Sequence, residues 1–346
     1  MDLSDFDYEL PRELIAQEPL DEREGSRLMV LDGERVRHRA FTDLDEFLQS
    51  GDVLVLNDSK VVPARVRGKR STGGKVELLV LGTGDDRPPP ESGGPISKDT
   101  SHALVRAKPL RPGEKIELAE GNCIVEERVA GARYRLRFDV KGGLAGFLER
   151  HGEMPTPPYI RKRLDRQERY QTVFARKAGS VAAPTAGLHF TPKMLERLRQ
   201  KGVAVCFITL HIGPGTFQPV RSRTVEGHRM DAEYYLIPAE TAVSVSERRG
   251  RLFCAGTTTV KALESAANPD GTLAGSEGWS GLFIYPGYEF KLRPDGLLTN
   301  FHLPKSTLLM LVSALVGRER LLQAYGEAVR ERYRFYSFGD AMLCLL

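Results

Sequence analysis

The sequence predicts a layered α/β main domain with a small inserted β-barrel domain. Three observations carry this reading. The chain has 346 residues, about two domains at roughly 150 residues each. From Pro63 to Glu149 it consists of short strand-like segments separated by glycine turns, the texture of a small barrel. On either side, apolar runs of strand length alternate with helical segments, which is the α/β pattern. The expected division is residues 1–62 and 150–346 for a discontinuous α/β catalytic domain, and 63–149 for the barrel.

The barrel strands are expected at Ala64–Arg70, Lys75–Leu81, Ala103–Ala107, Lys115–Leu118, Cys123–Val129 and Tyr134–Phe138. Turn residues Gly73-Gly74, Pro112-Gly113, Gly121-Asn122 and Gly131 separate them. The segment Gly82 to His102, with its runs of proline and glycine, reads as a mobile loop. In the α/β part, Thr191-Pro192 has the form of an N-cap followed by proline at the first helical position. Met194, Leu195 and Leu198 supply the apolar face of that helix, and Gly202 stops it. Val203–Leu210 reads as the next strand. Leu252–Ala255 is a further strand, Gly256–Thr259 a turn and Val260–Ala267 a helix. Leu308–Val316 is a helix closed by Gly317.

Composition narrows the function classes. Hydrophobic residues make up 41% and charged residues 28%, which excludes disorder throughout. Fifty basic against 46 acidic side chains give a net charge of +4, so any polyanion binding must come from local clustering. Cys123, Cys206, Cys254 and Cys344 form no C-x-x-C pair, which argues against a disulfide framework or zinc ribbon and for a reducing compartment. Met1–Leu10 is acidic and has no apolar core, so no signal peptide is expected. The apolar stretch Leu308–Val316 is too short to cross a bilayer. A cytoplasmic protein without a membrane partner is expected.

In open α/β sheets ligands gather beyond the carboxyl ends of strands. Five apolar runs end in hydrogen-bonding residues: Val53–Leu56 at Asn57-Asp58, Cys206–Leu210 at His211, Phe253–Ala255 at Gly256-Thr257-Thr258, Leu282–Ile284 at Tyr285, and Leu297–Thr299 at Asn300-Phe301-His302. Lys305 and Ser306 precede a helix N-terminus, a form suited to a carboxylate or phosphate. His189 follows a bare segment, Ala183-Pro184-Thr185-Ala186-Gly187, that allows close approach of another group. His228 stands near Asp231 and Glu233, either of which could orient an imidazole. The wide histidine spacings match no local zinc motif. Arg150 to Lys177 carries eight basic against three acidic residues, with Tyr159, Tyr170 and Phe174 interleaved. Such a run suits RNA, and it also suits a plain solvated face.

Taken together, these segments resemble the S-adenosylmethionine:tRNA ribosyltransferase-isomerase family of queuosine biosynthesis. The resemblance is strongest at Ala182 to Phe190 (AAPTAGLHF), His211 to Arg221 (HIGPGTFQPVR) and Asn300 to Leu309 (NFHLPKSTLL). It extends from Ser4-Asp5-Phe6-Asp7-Tyr8 to Gly339-Asp340-Ala341-Met342. Lys60, Glu153 and Asp231 depart from the family's pattern. The resemblance implies transfer of ribose from S-adenosylmethionine to 7-aminomethyl-7-deazaguanine at the tRNA wobble position. The ribose is isomerised to give epoxyqueuosine, and adenine and methionine leave. It implies tRNA and S-adenosylmethionine as partners and no cofactor, S-adenosylmethionine being a co-substrate; a monomer is expected.

The carbon beside a sulfonium is acidic, so a base must take its proton. Adenine leaves more readily once an acid protonates it. Histidine suits both transfers. His189, His211, His228 and His302 are the expected catalytic histidines, with Glu233 orienting one of them. Asn57, Arg65, Thr185, Gly213, Thr216, Phe217, Thr257, Thr258, Tyr285, Lys305 and Ser306 are the expected substrate contacts. Arg161, Lys162, Arg163 and Arg169 are the expected tRNA contacts. A noncatalytic RNA-binding protein would need the basic stretch but not the histidines. A metal-dependent hydrolase would need several histidines as ligands.

Overall fold

Apolar runs that read as buried strands become the parallel centre of one large sheet. The computed structural model describes residues 1–81, 99–162, 164–217, 220 and 222–346. The strands are β1 Arg27–Asp32, β2 Arg35–Ala40, β3 Val53–Asn57, β4 Ser59–Val61, β5 Arg65–Arg70, β6 Lys75–Leu81, β7 Thr100–Arg106, β8 Lys115–Leu118, β9 Gly121–Ala130, β10 Arg133–Val140, β11 Lys177–Ser180, β12 Ala204–Leu210, β13 Glu233–Ile237, β14 Leu252–Ala255, β15 Ser276–Ser280, β16 Gly296–Asn300 and β17 Ala341–Leu345. The α-helices are α1 Gly143–His151, α2 Pro192–Gln200, α3 Ala239–Ser246, α4 Thr257–Ala266, α5 Thr307–Val316 and α6 Arg318–Arg330.

The chain forms two compact units. One comprises Met1–Ser59, Pro157–Lys177 and Ala183–Leu346; the other comprises Lys60–Thr156 and Ala178–Ala182. The first is built on a nine-stranded sheet ordered β15-β13-β12-β3-β14-β16-β17-β1-β2. Strands β12, β3, β14 and β16 run parallel. Every residue of β3 is buried, as expected for a parallel strand covered on both faces. Leu54, Leu56, Phe253, Ala255, Leu298 and Leu343 point into a core shared with Met194, Leu195 and Leu198 of α2. Helix α4 packs near β3, β12 and β14. Thr191 caps α2, its hydroxyl accepting from the Met194 amide at 3.2 Å.

The second unit is a closed six-stranded barrel ordered β10-β7-β6-β5-β8-β9. Alternate residues of its strands fill the interior: Val66, Val76, Leu78, Val80, Val125, Leu136 and Phe138 are all buried. Helix α1 adds Leu144, Phe147 and Leu148 to this core, and Val181 joins it. This unit therefore extends beyond the 63–149 span read from the sequence. Neither α1 nor the contribution of Ala178–Ala182 follows from strand periodicity.

Three expectations need correction. Leu282–Ile284 is not a strand but irregular chain after β15. Its apolar side chains serve as the wall of a cleft rather than a strand of the sheet. The neighbour of β12 on that side is β13, which pairs in turn with β15; β13 holds only the short run Tyr-Tyr-Leu-Ile after Glu233, and Ser-Glu-Gly-Trp-Ser of β15 holds none. Helix α4 begins at Thr257, so Thr257–Thr259 form its first turn rather than a preceding loop. The Thr259 hydroxyl bonds the Ala255 carbonyl at 2.8 Å, a local bond that lets threonine sit within a helix. Of the expected Gly82–His102 loop, residues 82–98 lie outside the described residues, and β7 already begins at Thr100.

Candidate active site

The carboxyl ends of β12, β3, β14 and β16 lie along one edge of the sheet. Strands β13 and β17 are antiparallel to their neighbours β12 and β16, so both begin at that edge. Asn57 ends β3 and is buried. Its Oδ1 accepts from the amides of Ser59 and Leu210, each at 3.0 Å. Its Nδ2 donates to the Leu210 carbonyl at 3.0 Å and to Thr258 Oγ1 at 3.3 Å. This amide therefore ties the ends of β3 and β12 to the start of α4. Next to it, Asp58 accepts from the Thr209 hydroxyl at 2.7 Å. Burial raises its carboxyl pKa, opposed by Thr209, Arg176, Lys177 and His211.

His211 follows β12 directly, with its ring stacked on Tyr234 at 5.7 Å. Burial pushes its pKa down to about 4, against the pull of Asp58. Its Nδ1 is buried without a hydrogen-bond partner among the described residues. An imidazole held neutral beside a carboxyl group is equipped to exchange a proton.

Glu233 opens β13 and is 4% exposed. Its carboxylate accepts from the Gly213 amide and from Lys261 Nζ, both at 2.9 Å. Lys261 was not among the residues singled out from the sequence. The available signal was its spacing: Thr257 and Lys261 are four apart, so they share one face of α4. A cleft opens here. Its polar side is Thr257, Thr258, Thr307, Glu233 and Lys261, and its apolar side includes Met230, Phe283 and Leu311. The edge of the half-buried His228 ring meets Phe283 at 5.2 Å. Burial lowers the His228 pKa, and Asp231 opposes the shift. Tyr285 lies 5.1 Å from Phe283, ring to ring. Gly256, at φ +95°, makes the turn from β14 into α4, a backbone geometry that suits glycine.

At Lys305 and Ser306, where a carboxylate or phosphate is expected, both side chains have partners within the chain. Lys305 Nζ pairs with Asp7 at 2.6 Å, and both side chains are exposed. Ser306 is an ordinary cap, accepting from the Leu309 amide at 3.2 Å. The next residue, Thr307, lines the cleft.

Farther along the same edge, the two remaining histidines are enclosed. His189 ends a 3-10 turn, Thr185–His189. Its Nδ1 lies 2.8 Å from Ser26 Oγ and its Nε2 lies 3.1 Å from Asn300 Nδ2. Burial, with Arg334 and Arg23 nearby, pushes its pKa down to about 3. The bare backbone before it admits the chain's own residues: a Cβ on Gly187 would lie 2.8 Å from the Phe174 ring. Thr185 is half-buried at the start of this turn. His302 Nε2 lies 2.8 Å from Thr299 Oγ1, and its amide donates to the Tyr325 hydroxyl at 3.0 Å. Burial holds its pKa at about 3.

The basic candidates are held by the chain's own carbonyls and carboxylates or lie exposed. Arg65 is on β5 of the barrel unit, where its guanidinium donates to the Thr156 carbonyl at 2.8 Å. Arg161 is exposed, and Lys162 pairs with Glu18. Arg169 donates to the carbonyls of Asp21 and Leu20 at 2.8 and 2.6 Å. It lines a recess of about 300 Å³ with Arg23 and His189. Arg163 and the side chains of Thr216 and Phe217 lie outside the described residues. Among the described residues, no three His, Cys, Asp or Glu side chains are grouped as metal ligands, and no helix is long and apolar enough to cross a membrane.

Comparison with known proteins covers the chain from end to end. The family described as "Queuosine biosynthesis protein" matches residues 3–344. A protein of Pelotomaculum thermopropionicum named S-adenosylmethionine:tRNA ribosyltransferase-isomerase is 51% identical, with 100% of both chains covered. A protein of Symbiobacterium thermophilum with the same name is 49% identical over the same full coverage. The crystal structure of the S-adenosylmethionine tRNA ribosyltransferase of Thermotoga maritima is 35% identical, with a TM-score of 0.54, covering 99% of this chain and 100% of that one. The chain belongs to the queuosine biosynthesis protein family.

Proposed function

We propose that this chain is an S-adenosylmethionine:tRNA ribosyltransferase-isomerase. It transfers the ribose of S-adenosylmethionine to the 7-aminomethyl-7-deazaguanine base at the tRNA wobble position and isomerises it. The products are epoxyqueuosine-tRNA, adenine and methionine. The observation that carries this reading is the buried Glu233–Lys261 pair in an open cleft whose Phe283 wall meets His228, in a chain related to the named enzymes along its whole length.

The residues divide by what their surroundings allow. His228 borders the apolar cleft wall and is kept neutral at pH 7, so it is our candidate base for the proton beside the sulfonium. His211 and Asp58 form the second proton-exchanging pair, suited to protonating the departing adenine. Correctly placed acids and bases contribute about 10² to 10⁴ each. His189 and His302 act as positioning residues: they hold Asn300 and Thr299 at the end of β16. Glu233 fixes the Gly213 turn, and Arg161, Lys162, Arg163 and Arg169 contact tRNA phosphates. In this reading the enzyme needs no metal or redox cofactor and acts as a cytoplasmic monomer.

The test is incubation of the purified chain with S-adenosylmethionine and precursor tRNA. Adenine release and a matching mass increase on the tRNA nucleoside are expected. Tight tRNA binding without either product would leave a noncatalytic RNA-binding protein.

A further inference from the structure

We infer that the cleft between the first turns of α4 and α5 holds the α-amino-acid end of S-adenosylmethionine, and holds methionine after turnover. This assignment rests on the ribosyl-donor reading above. Thr257 and Thr307 are the first residues of two ten-residue helices, and both line the cleft. First-turn amides have no acceptor within their own helix, and the helix dipole adds partial positive charge there. Helix α4 also starts without a capping side chain.

The threonine hydroxyls supply a second, independent observation. Thr257 and Thr307 are each 6% exposed, and among the described residues neither hydroxyl has a hydrogen-bond partner. Neither oxygen is among the buried atoms without a partner, so both hydroxyls open onto the cleft, where they can donate to a ligand that accepts hydrogen bonds. A carboxylate, with two oxygens, can take both.

The rest of the cleft selects which carboxylate. Glu233 and Lys261 stand side by side in it, 2.9 Å apart. A zwitterion adds an ammonium next to Glu233 and a carboxylate next to Lys261, so each buried charge gains an opposite neighbour. Beyond this charged floor the walls are apolar: Met230, Leu282, Phe283, Ile284 and Leu311. They match a thioether chain, and the Phe283 ring offers its face or edge to sulfur, charged or neutral. A nucleobase would need in-plane partners that these walls do not carry.

The experiment measures binding of L-methionine to the full chain, alongside 3-(methylthio)propylamine, which lacks the carboxylate, and 5′-methylthioadenosine, which lacks the amino acid. The same titrations are repeated on the variants Thr257→Val and Thr307→Val, and on Thr257→Ser and Thr307→Ser. Wild-type protein should prefer methionine to the amine. Each valine variant should weaken methionine by about tenfold or more, the usual effect of losing a hydrogen bond to a charged group. The serine variants should retain most of the affinity, and 5′-methylthioadenosine should bind all of them equally. Two results would overturn the assignment: a loss confined to 5′-methylthioadenosine, which would put the nucleoside here, or wild-type turnover with no competition from millimolar methionine. Inorganic phosphate binding in place of methionine would also overturn it. Methionine binding in protein that releases no adenine would instead sink the ribosyl-transfer reading and leave the cleft assignment standing.

Discussion

Two stretches of one sheet edge carry the four histidines, and they are built in opposite ways. Along β16, β17 and β1, His189 and His302 are buried, neutral and bonded to neighbouring side chains. Along β12, β3 and β14, His211 and His228 are only half-buried. His211 keeps a ring nitrogen without a partner, and His228 borders an open cleft. A satisfied polar group stiffens a fold, whereas a half-buried imidazole can exchange a proton with a group beside it. The contrast underlies the division of roles proposed above, in which the enclosed pair holds the edge and the half-buried pair moves protons.

The sharpest break in that contrast would come from turnover. His228→Ala and His211→Ala should each lower kcat by about 10² to 10⁴ while leaving thermal unfolding close to wild type. His189→Gln and His302→Gln should do the reverse, costing stability with kcat per folded molecule within a few-fold of wild type. Adenine release normalised to folded protein decides this. Equal kcat losses at all four positions would erase the distinction.

The cleft ion pair comes next. Lys261→Met leaves the Glu233 carboxylate buried without its cation, and such a change costs about 3–5 kcal/mol. Urea unfolding should show that loss. Adding Glu233→Gln should recover part of it, because the orphaned charge is gone. A fully additive double mutant would mean that the pair is not coupled.

Acid titration tests the enclosed pair. His189 and His302 have folded pKa values near 3, below the unfolded value of about 6.5. The unfolded chain therefore binds more protons between these values. The stabilisation from keeping each ring neutral is complete above about pH 6.5 and is lost as pH falls towards 3. Each group contributes a slope of up to about 1.4 kcal/mol per pH unit. His302→Gln should flatten that slope by about one histidine's share, measured by unfolding at pH 4 to 7; His228→Ala should change it less.

The smallest effect lies outside both stretches. Arg161 is exposed and unburdened by the sheet. Arg161→Ala should flatten the log–log salt dependence of tRNA affinity by about 0.7 to 0.9 if it neutralises one phosphate. Affinity for S-adenosylmethionine should stay unchanged. A wild-type salt slope would make Arg161 a solvated surface residue.

Much of this architecture was legible beforehand. The barrel strands alternate buried and exposed residues, and the turns between them carry glycine, so period and punctuation agreed. The cap at Thr191 and the stop at Gly317 are local signals and appear where expected. Four of the five polar strand ends do lie on one edge, because their strands are parallel neighbours. The fifth, after Ile284, misled for a physical reason: a short apolar run looks the same whether it enters a sheet or walls a cleft. Lys261 was passed over because a lysine inside a helix reads as solvated until its burial is known.

The sequence by itself determined the barrel, most element types and four of the five polar strand ends, since each depends on spacing within a few residues. Its motifs also determined the family, because their order along the whole chain leaves little room for coincidence. The tertiary structure decided the rest: strand order, the pairing of Lys261 with Glu233, and which histidines are enclosed. Those facts depend on contacts between residues far apart in sequence, such as Ser26 with His189 and Tyr325 with His302. Burial and partnership come only from packing, and they separate the enclosed His189 and His302 from the half-buried His211 and His228.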